Sequence, residues 1–219
     1  MTALTAKEIE MEILIDGVSK TVDTCGIDSF HDLLKCLEKD HVEKSKVITR
    51  IILNDEDLDE GQEVGLGAFP VAEILSLSIE TCDTLSLASD ALDDALDYLP
   101  TLSNILENSA RKIREGQVRE GLQNISEALD VVSAFGEVLD GIRGAFRIDY
   151  SKVRIDDFSL LDKLNELSTQ AQRILKAAKD EDWTLLADLV EYELSPLIYE
   201  WIAIIPELVS LLPEEKKEN

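Results

Sequence analysis

The spacing of apolar residues changes part way along the chain and divides it into two regions. Up to residue 82, apolar and polar residues alternate in short runs, which is the period of a half-buried β-strand. After residue 85, apolar residues recur every three or four positions, which is typical of amphipathic helices. The pattern therefore predicts an α+β protein, with a small mixed module at residues 1–82, an antiparallel four-helix bundle at 83–212 and a disordered tail at 213–219.

The predicted order of elements in the N-terminal module is strand, strand, helix, strand, strand. Asp16 and Gly17 supply the tight turn of a hairpin between the first two strands. Asp28 or Ser29 can cap a helix that runs to about His41. The predicted strands cover residues 9–15, 19–22, 47–53 and 74–79, with an acidic turn at 54–61.

This order of elements resembles the ubiquitin-like β-grasp fold, and the likeness covers residues 9–82. Within it, TRIILNDEDLDEGQEV at 49–64 is similar to the strand, turn and short strand that follow the helix in such domains. Conjugated modifiers and sulfur carriers of that type end in a free Gly-Gly, whereas this module continues through Glu80-Thr81-Cys82. The resemblance therefore implies the fold without conjugation or thiocarboxylate chemistry. Ferredoxin-like and other small α/β folds fit the same order of elements.

Three breaks divide the C-terminal region into four predicted helices. The first break is at Gly116, the second is a linker at 146–158, and the third is near Asp180. Ser159 can cap the third helix, and Asp180 or Asp182 can open the fourth. Since the first and third connections are short, successive helices should be antiparallel, and two helical hairpins should pack into one bundle.

The net negative charge of the chain limits the kinds of partner that it can bind. The chain has 46 acidic and 21 basic residues, and its formal net charge is −25. Such a surface repels phosphate groups, so we expect neither nucleic acid nor an anionic membrane as a partner. It suits a protein that stays dispersed in solution, or one that binds a basic partner.

Two further features predict a cytoplasmic protein. The three cysteines are odd in number and form no CxxC motif, so we expect reduced thiols at Cys25, Cys36 and Cys82. The N-terminus has no basic segment followed by an apolar one, as a secretory signal would. Residues 194–212 approach the length of a membrane span, but they contain two glutamates and two prolines, so we interpret them as a buried protein helix.

No residue pattern forms a recognisable active site. The acidic run at 55–60 suggests a calcium loop, but Glu60 stands where glycine is required and Leu66 where a bidentate glutamate is required. His31 and His41 are the only histidines, and their spacing is not that of metal ligands. The sequence therefore predicts no catalytic residue, no cofactor and no metal site, and a solvated turn at 55–60.

The last predicted helix is the most unusual stretch of the chain. From Leu194 onward, apolar residues cover most of its circumference, while Glu193, Glu200 and Glu207 recur every seven residues on one stripe. Such a helix needs cover on more than one side, from the N-terminal module, a second copy of the chain or another protein. The candidate interface residues are Tyr192, Leu197, Tyr199, Trp201, Ile204, Ile205 and Leu208.

Three functional hypotheses are compatible with these features. The first is a non-enzymatic protein–protein interaction module, an adaptor or assembly factor, whose partner is another protein or a second copy in a homodimer. The second is a cytosolic chaperone for an export or assembly subunit, because small acidic helical bundles resemble flagellar and type III secretion chaperones in general character. The third is an enzyme or small-ligand receptor with a pocket between the module and the bundle.

Overall fold

The protein consists of two compact units that divide after Leu87, beyond the boundary predicted at residue 82. The structure, a computed structural model, describes residues 11–213, with the backbone alone at Glu60. Residues 9–10 of the strand predicted at 9–15 and residues 214–219 of the tail predicted at 213–219 lie outside the described residues. The first unit contains, in chain order, β1 (Glu12–Ile15), β2 (Val18–Ser19), α1 (Phe30–Asp40), β3 (Lys46–Leu53), β4 (Glu56–Leu58), α2 (Glu60–Gly65), a single 3-10 turn (Val71–Glu73) and β5 (Ser76–Asp83).

The five strands form one mixed sheet in the order β2-β1-β5-β3-β4. The central strand, β5, is parallel to β1, and the other three pairs of neighbouring strands are antiparallel. The apolar residues of β1, β3 and β5 share one core with the buried side of α1. Helix α1 buries Phe30, Leu33, Leu34 and Leu37, whose spacing of three, one and three residues places them on one side of the helix. The predicted α+β class is confirmed.

The first hairpin turns at the predicted dipeptide. Asp16 and Gly17 have φ of 51° and 74°, the left-handed values that a two-residue hairpin loop requires. The Asp16 carboxylate also accepts hydrogen bonds from the N–H and the hydroxyl of Thr81, both at 2.7 Å. These bonds lower the pKa of Asp16, so its charged form holds the turn against the end of β5.

The acidic stretch after β3 is more ordered than predicted. Asn54 and Asp55 form a tight turn with φ of 50° and 66°, and β4 then pairs with β3. The carboxylate of Asp59 accepts a hydrogen bond from the N–H of Gln62 at 2.8 Å, which caps α2. The prediction of a continuous turn at 54–61 is therefore wrong, because a two-residue turn, the strand β4 and the start of a capped helix satisfy the backbone there.

The second unit is built from four helical rods. Pro100 predicts a kink or break, yet α3 runs through it without interruption. Gly116 ends this helix region with a φ of 84°, as predicted. The elements are α3 (Thr84–Arg114), α4 (Val118–Phe146), β6 (Arg154–Ile155), β7 (Phe158–Ser159), α5 (Leu160–Lys179), and a last rod formed by α6 (Trp183–Asp188), a π-helical segment (Leu189–Leu194) and α7 (Ser195–Ser210).

Contacts between the rods show that the last rod runs antiparallel to α3 and to α5. On α5, Lys163 pairs with Glu200 while Arg173, farther along, pairs with Glu193. On α3, the hydroxyl of Ser103 lies 2.6 Å from that of Ser195, whereas Arg114 reaches back to Asp188. All four rods contribute buried apolar residues to a single core. At its centre the indole ring of Trp201 is fully buried, edge to face with Phe135 at 5.3 Å between ring centroids.

The connection predicted as a linker at 146–158 has structure of its own. After α4, a short hairpin of β6 and β7 leads directly into α5, whose first turn is capped by Ser159 as predicted. Tyr150 is buried beneath this connection, and its hydroxyl donates a hydrogen bond to the carbonyl of Leu139 at 2.8 Å. Burial raises the pKa of Tyr150 to about 12, so the phenol remains a donor at neutral pH.

Removal of the Tyr150 hydroxyl should measure how firmly this connection is fixed to α4. We expect Tyr150→Phe to lower the free energy of unfolding by about 1 kcal/mol, because it deletes one buried hydrogen bond without deleting the ring. Chemical denaturation followed by helical circular dichroism measures it. Tyr98→Phe, whose ring is exposed on α3, is the matched control and should be neutral. Equal stability of the two variants would contradict a contribution from the Tyr150 hydroxyl.

Candidate interaction surface

The seven predicted interface residues separate into a buried set and an exposed pair. Tyr192 and Tyr199 are exposed, at 65% and 47% of their surface. The other five are at most 3% exposed, because α7 lies against the other rods and turns these side chains into the bundle core. These five residues belong to the core of the bundle, so their prediction as interface residues is corrected: Leu197, Trp201, Ile204, Ile205 and Leu208.

The exposed side of the last rod carries a row of residues without charge. From Tyr192 onward, the members of this row follow one another at intervals of four, three, four, three and four residues, and each of them is exposed. The two tyrosines were predicted, whereas the small and proline positions between them were missed. We call this row the outer stripe, and it consists of Tyr192, Pro196, Tyr199, Ala203, Pro206 and Ser210.

On one side of the outer stripe, two glutamates are paired with α5. Glu193 forms a bidentate ion pair with Arg173, and Glu200 accepts a hydrogen bond from the Lys163 ammonium at 2.6 Å. Partial burial of Lys163 works against its charge, but its hydrogen bonds to Glu200 and Glu166 outweigh this and raise its pKa. Two of the three glutamates that recur every seven residues, Glu193 and Glu200, thus join the last rod to α5.

On the other side of the stripe, one arginine of α3 is paired with two carboxylates. Arg114 donates to Asp188 at 2.8 Å and also to Glu191. These two hydrogen bonds raise the pKa of Arg114 above its ordinary value. The same guanidinium group lies over the ring of Tyr192, 5.5 Å from its centroid, within range of a cation–π contact.

The result is an almost neutral face on a strongly acidic protein. Residues 194–213 contain only two charged side chains, Glu200 and Glu207. Glu200 is neutralised by Lys163, so in the described part of the chain Glu207 is the acid next to the stripe without an ion pair. The formal net charge of the whole chain is −25. The outer stripe can therefore contact another apolar helix without the repulsion that most of the surface would impose.

Tyr192, which is 65% exposed, lies within a π-helical segment. Within Leu189–Leu194 the hydrogen bonds span five residues, and the N–H of Ser195 donates to the carbonyl of Val190. Such segments are rare and frequently occur at functional sites. Here the widened turn contains Tyr192, whereas Glu191 and Glu193 on either side pair with α3 and α5. Its position at one end of the stripe is a second reason to treat this face as a candidate site.

The other residues considered in the sequence do not form a site. His31 is exposed, and His41 ends α1. In the acidic run, Asp57 pairs with Arg50 at 2.9 Å while Asp59 caps α2. All three cysteines are free thiols. In the described part of the chain, no three His, Cys, Asp or Glu side chains are grouped to hold a metal ion. Among the same residues, no helix has the length and apolar character needed to cross a membrane.

These features define a helical-bundle protein with a five-stranded sheet unit before the bundle and an exposed neutral face on its last rod. The chain belongs to the family described as a domain of unknown function (DUF8042), which matches residues 90–204, just over half of the chain. The match begins in α3 and ends in α7, so it covers most of the bundle and includes both tyrosines of the outer stripe.

A relative in Treponema pallidum (strain Nichols) extends the similarity beyond the bundle. It is described as an uncharacterised protein, and it is 22% identical over 194 residues, which cover 86% of this chain and 92% of the relative. No solved structure matches the chain.

Proposed function

We propose that the protein is a non-enzymatic interaction module that pairs with a second copy of itself through the outer stripe. The observation that carries this proposal is the neutral, exposed row of six residues on the last rod of a protein with a net charge of −25. Rows of small and apolar residues at alternating intervals of four and three are typical of helices that pack against another helix.

Charge pairing beside the stripe permits a second copy as the occupant. Two chains that each carry −25 repel one another over most of their surfaces. At the stripe, Glu191, Glu193 and Glu200 are already paired with cations of the same chain. Two stripes can therefore meet with Glu207 as the one acid beside each stripe that lacks an ion pair among the described residues, in a two-fold arrangement where each presents the same residues to the other.

The mass of the protein in solution tests this proposal. We expect light scattering to give twice the chain mass of 24.4 kDa at micromolar concentration. Tyr199→Glu places a carboxylate in the middle of each stripe, so it should weaken the dimer by at least about tenfold, or about 1.4 kcal/mol. Because Tyr199 is 47% exposed, the substitution leaves the core intact.

Tyr98→Glu is the matched control, since Tyr98 is 42% exposed and lies on α3 outside the stripe. It makes the same change of charge and should leave the dimer unchanged. A wild-type protein that is monomeric at 100 times the working concentration would overturn the proposal, and so would equal weakening by the two variants.

We also propose that the first unit is a β-grasp domain. The strand order β2-β1-β5-β3-β4 and the parallel pairing of β1 with β5 support it. Nuclear Overhauser contacts between β1 and β5 would test the pairing, for example between Ile13 and Leu77, which are opposite one another.

We further propose that the protein acts in the cytoplasm, where thiols stay reduced. The three free cysteines, Cys25, Cys36 and Cys82, support this. Fractionation of cells that produce the protein, followed by detection with an antibody, would test it. Recovery from an oxidising compartment would contradict it.

A further inference from the structure

A second surface of the bundle lies between α4 and α5, where the two helices leave an open groove of about 640 Å³. We call it the α4–α5 groove. Its floor includes the buried side chains of Val132 and Leu167. Leu129, Leu161 and Leu164 line it and are only half-buried, and its lining also includes Leu175, which is 59% exposed.

The groove exists because small residues stand where the two helices face one another. Gly136 of α4 has open space around it, since a Cβ atom built there meets nothing within 4 Å. Ser133 stands near it on α4, and Ser168 and Ala171 line the groove from α5. Larger side chains at these positions would fill the gap, so the sequence itself keeps the apolar floor accessible.

The two edges of the groove differ in charge. The α4 edge carries Asp130 and Glu137, which are exposed and are seven residues apart. Neither forms an ion pair with the described residues of the chain, whereas Asp140, farther along, pairs with Arg143 at 3.0 Å. The α5 edge presents uncharged residues such as Asn165 and Ser168. The groove is thus apolar at its floor and acidic along one side.

We propose that the α4–α5 groove binds an amphipathic helix of a partner protein, one whose apolar face enters the groove and whose basic flank lies along α4. A helix in a groove is a common mode of recognition, in which apolar residues at intervals of three and four supply the contact area. The acidic edge selects a basic guest, because charges that complement one another favour encounter and disfavour an acidic helix.

The dimensions of the groove set the size of the guest. Its α4 side extends from Ser126 to Arg143, which is about 25 Å at the rise of an α-helix. A guest of about 17 residues would span it. Asp130 and Glu137 are two helical turns apart, so basic residues at the same seven-residue interval on the guest would face both of them. This site is independent of the outer stripe, which belongs to another rod.

Peptide binding tests the inference on the full-length chain. The probe is a fluorescent 18-residue helical peptide with leucines at intervals of three and four and two arginines seven residues apart on one flank. We expect it to bind in a fluorescence anisotropy titration, with affinity that falls as salt rises. A peptide with glutamates in place of the arginines should bind at least about tenfold more weakly.

A blocked groove separates this site from general attraction to an acidic surface. Gly136→Leu fills the groove without changing charge, and we expect it to weaken binding of the basic peptide at least about tenfold. Gly141→Leu is the control, because Gly141 lies on the same helix, also has open space, and does not line the groove. It should bind as the wild type does, and circular dichroism should find both variants folded.

Each contrary outcome overturns the proposal. These outcomes are equal binding by Gly136→Leu and wild type, equal binding of the basic and acidic peptides, and absence of binding at millimolar peptide. A peptide of the same composition with its leucines scrambled around the helix must also bind more weakly, since equal affinity would mean that charge alone attracts it.

Discussion

Replacing Trp201 by alanine should lower the free energy of unfolding of the bundle by about 3–5 kcal/mol. Trp201 is fully buried, and its ring packs edge to face against Phe135 of α4, with 86° between the ring planes. Truncation removes the largest side chain of the core and leaves a cavity that the surrounding rods cannot close without moving. Urea denaturation followed by the helical circular dichroism signal measures the loss without relying on tryptophan fluorescence.

Trp201→Phe is the informative companion to this variant. The indole Nε1–H of Trp201 is buried and finds no acceptor among the described residues, which costs free energy in the folded state. Phenylalanine keeps part of the ring contact and removes the unsatisfied donor, so its loss should be smaller than that of alanine by about 2 kcal/mol. If Trp201→Ala cost less than about 1 kcal/mol, the central position assigned to this residue would be wrong.

The second large effect is expected at Gly121 of α4. Among the glycines of this helix, it is the one that packs against α3. A Cβ atom at this position would lie 2.6 Å from Cγ1 of Ile113 and 3.0 Å from the carbonyl oxygen of Ser109. The carbonyl belongs to the backbone of α3 and cannot turn aside. Gly121→Ala should therefore lower the free energy of unfolding by about 1–3 kcal/mol, although alanine is the better helix former.

Gly141→Ala is the control for that substitution. It makes the same change on the same helix, at a position where a Cβ atom meets nothing within 4 Å. We expect it to raise the free energy of unfolding by about 0.5–1 kcal/mol, because it removes the conformational freedom of glycine from a helix. Thermal denaturation of the pair should give shifts of opposite sign. Shifts of the same sign would contradict a close approach of α3 and α4 at Gly121.

Much of the fold could be predicted because its signals are local. The left-handed turn at Asp16 and Gly17 and the helix caps at Ser29 and Ser159 depend on residues within a few positions of one another. The acidic stretch after β3 was harder, because its charges indicate solvent exposure whether the backbone is a turn or a strand. Whether β4 forms there depends on pairing with β3, which the local pattern does not specify.

The candidate site could not be predicted fully from the sequence. Which residues of the last helix are exposed depends on how the helices pack together, and the spacing of apolar residues does not specify that packing. The apolar circumference of the last helix left both cover by the same chain and cover by a partner open. The structure decides this for Trp201 and its buried neighbours, because three other rods surround them. The pairs of Glu193 with Arg173 and Glu200 with Lys163 join residues 20 and 37 positions apart, a distance at which helical spacing predicts nothing.

The α4–α5 groove could not be predicted from the sequence, for a related reason. Leu129 and Leu164 fit the inner face of their helices by spacing, yet both are only half-buried. What exposes them is the small size of residues on the facing helix, such as Ala171 opposite α4 and Gly136 opposite α5. Which positions face one another follows from the rotation of each helix, and a single sequence does not determine that rotation.

The π-helical segment has a consequence for insertions and deletions in the family. Elsewhere in the four rods, one added residue would turn everything after it by about 100° and move core side chains into solvent. Within Leu189–Leu194 the chain already contains one residue more than an ordinary turn would use. A relative shorter by one residue at this point would close the same span with α-helical turns and keep both halves of the rod in register. The last rod therefore has a place where length can vary while the bundle is conserved.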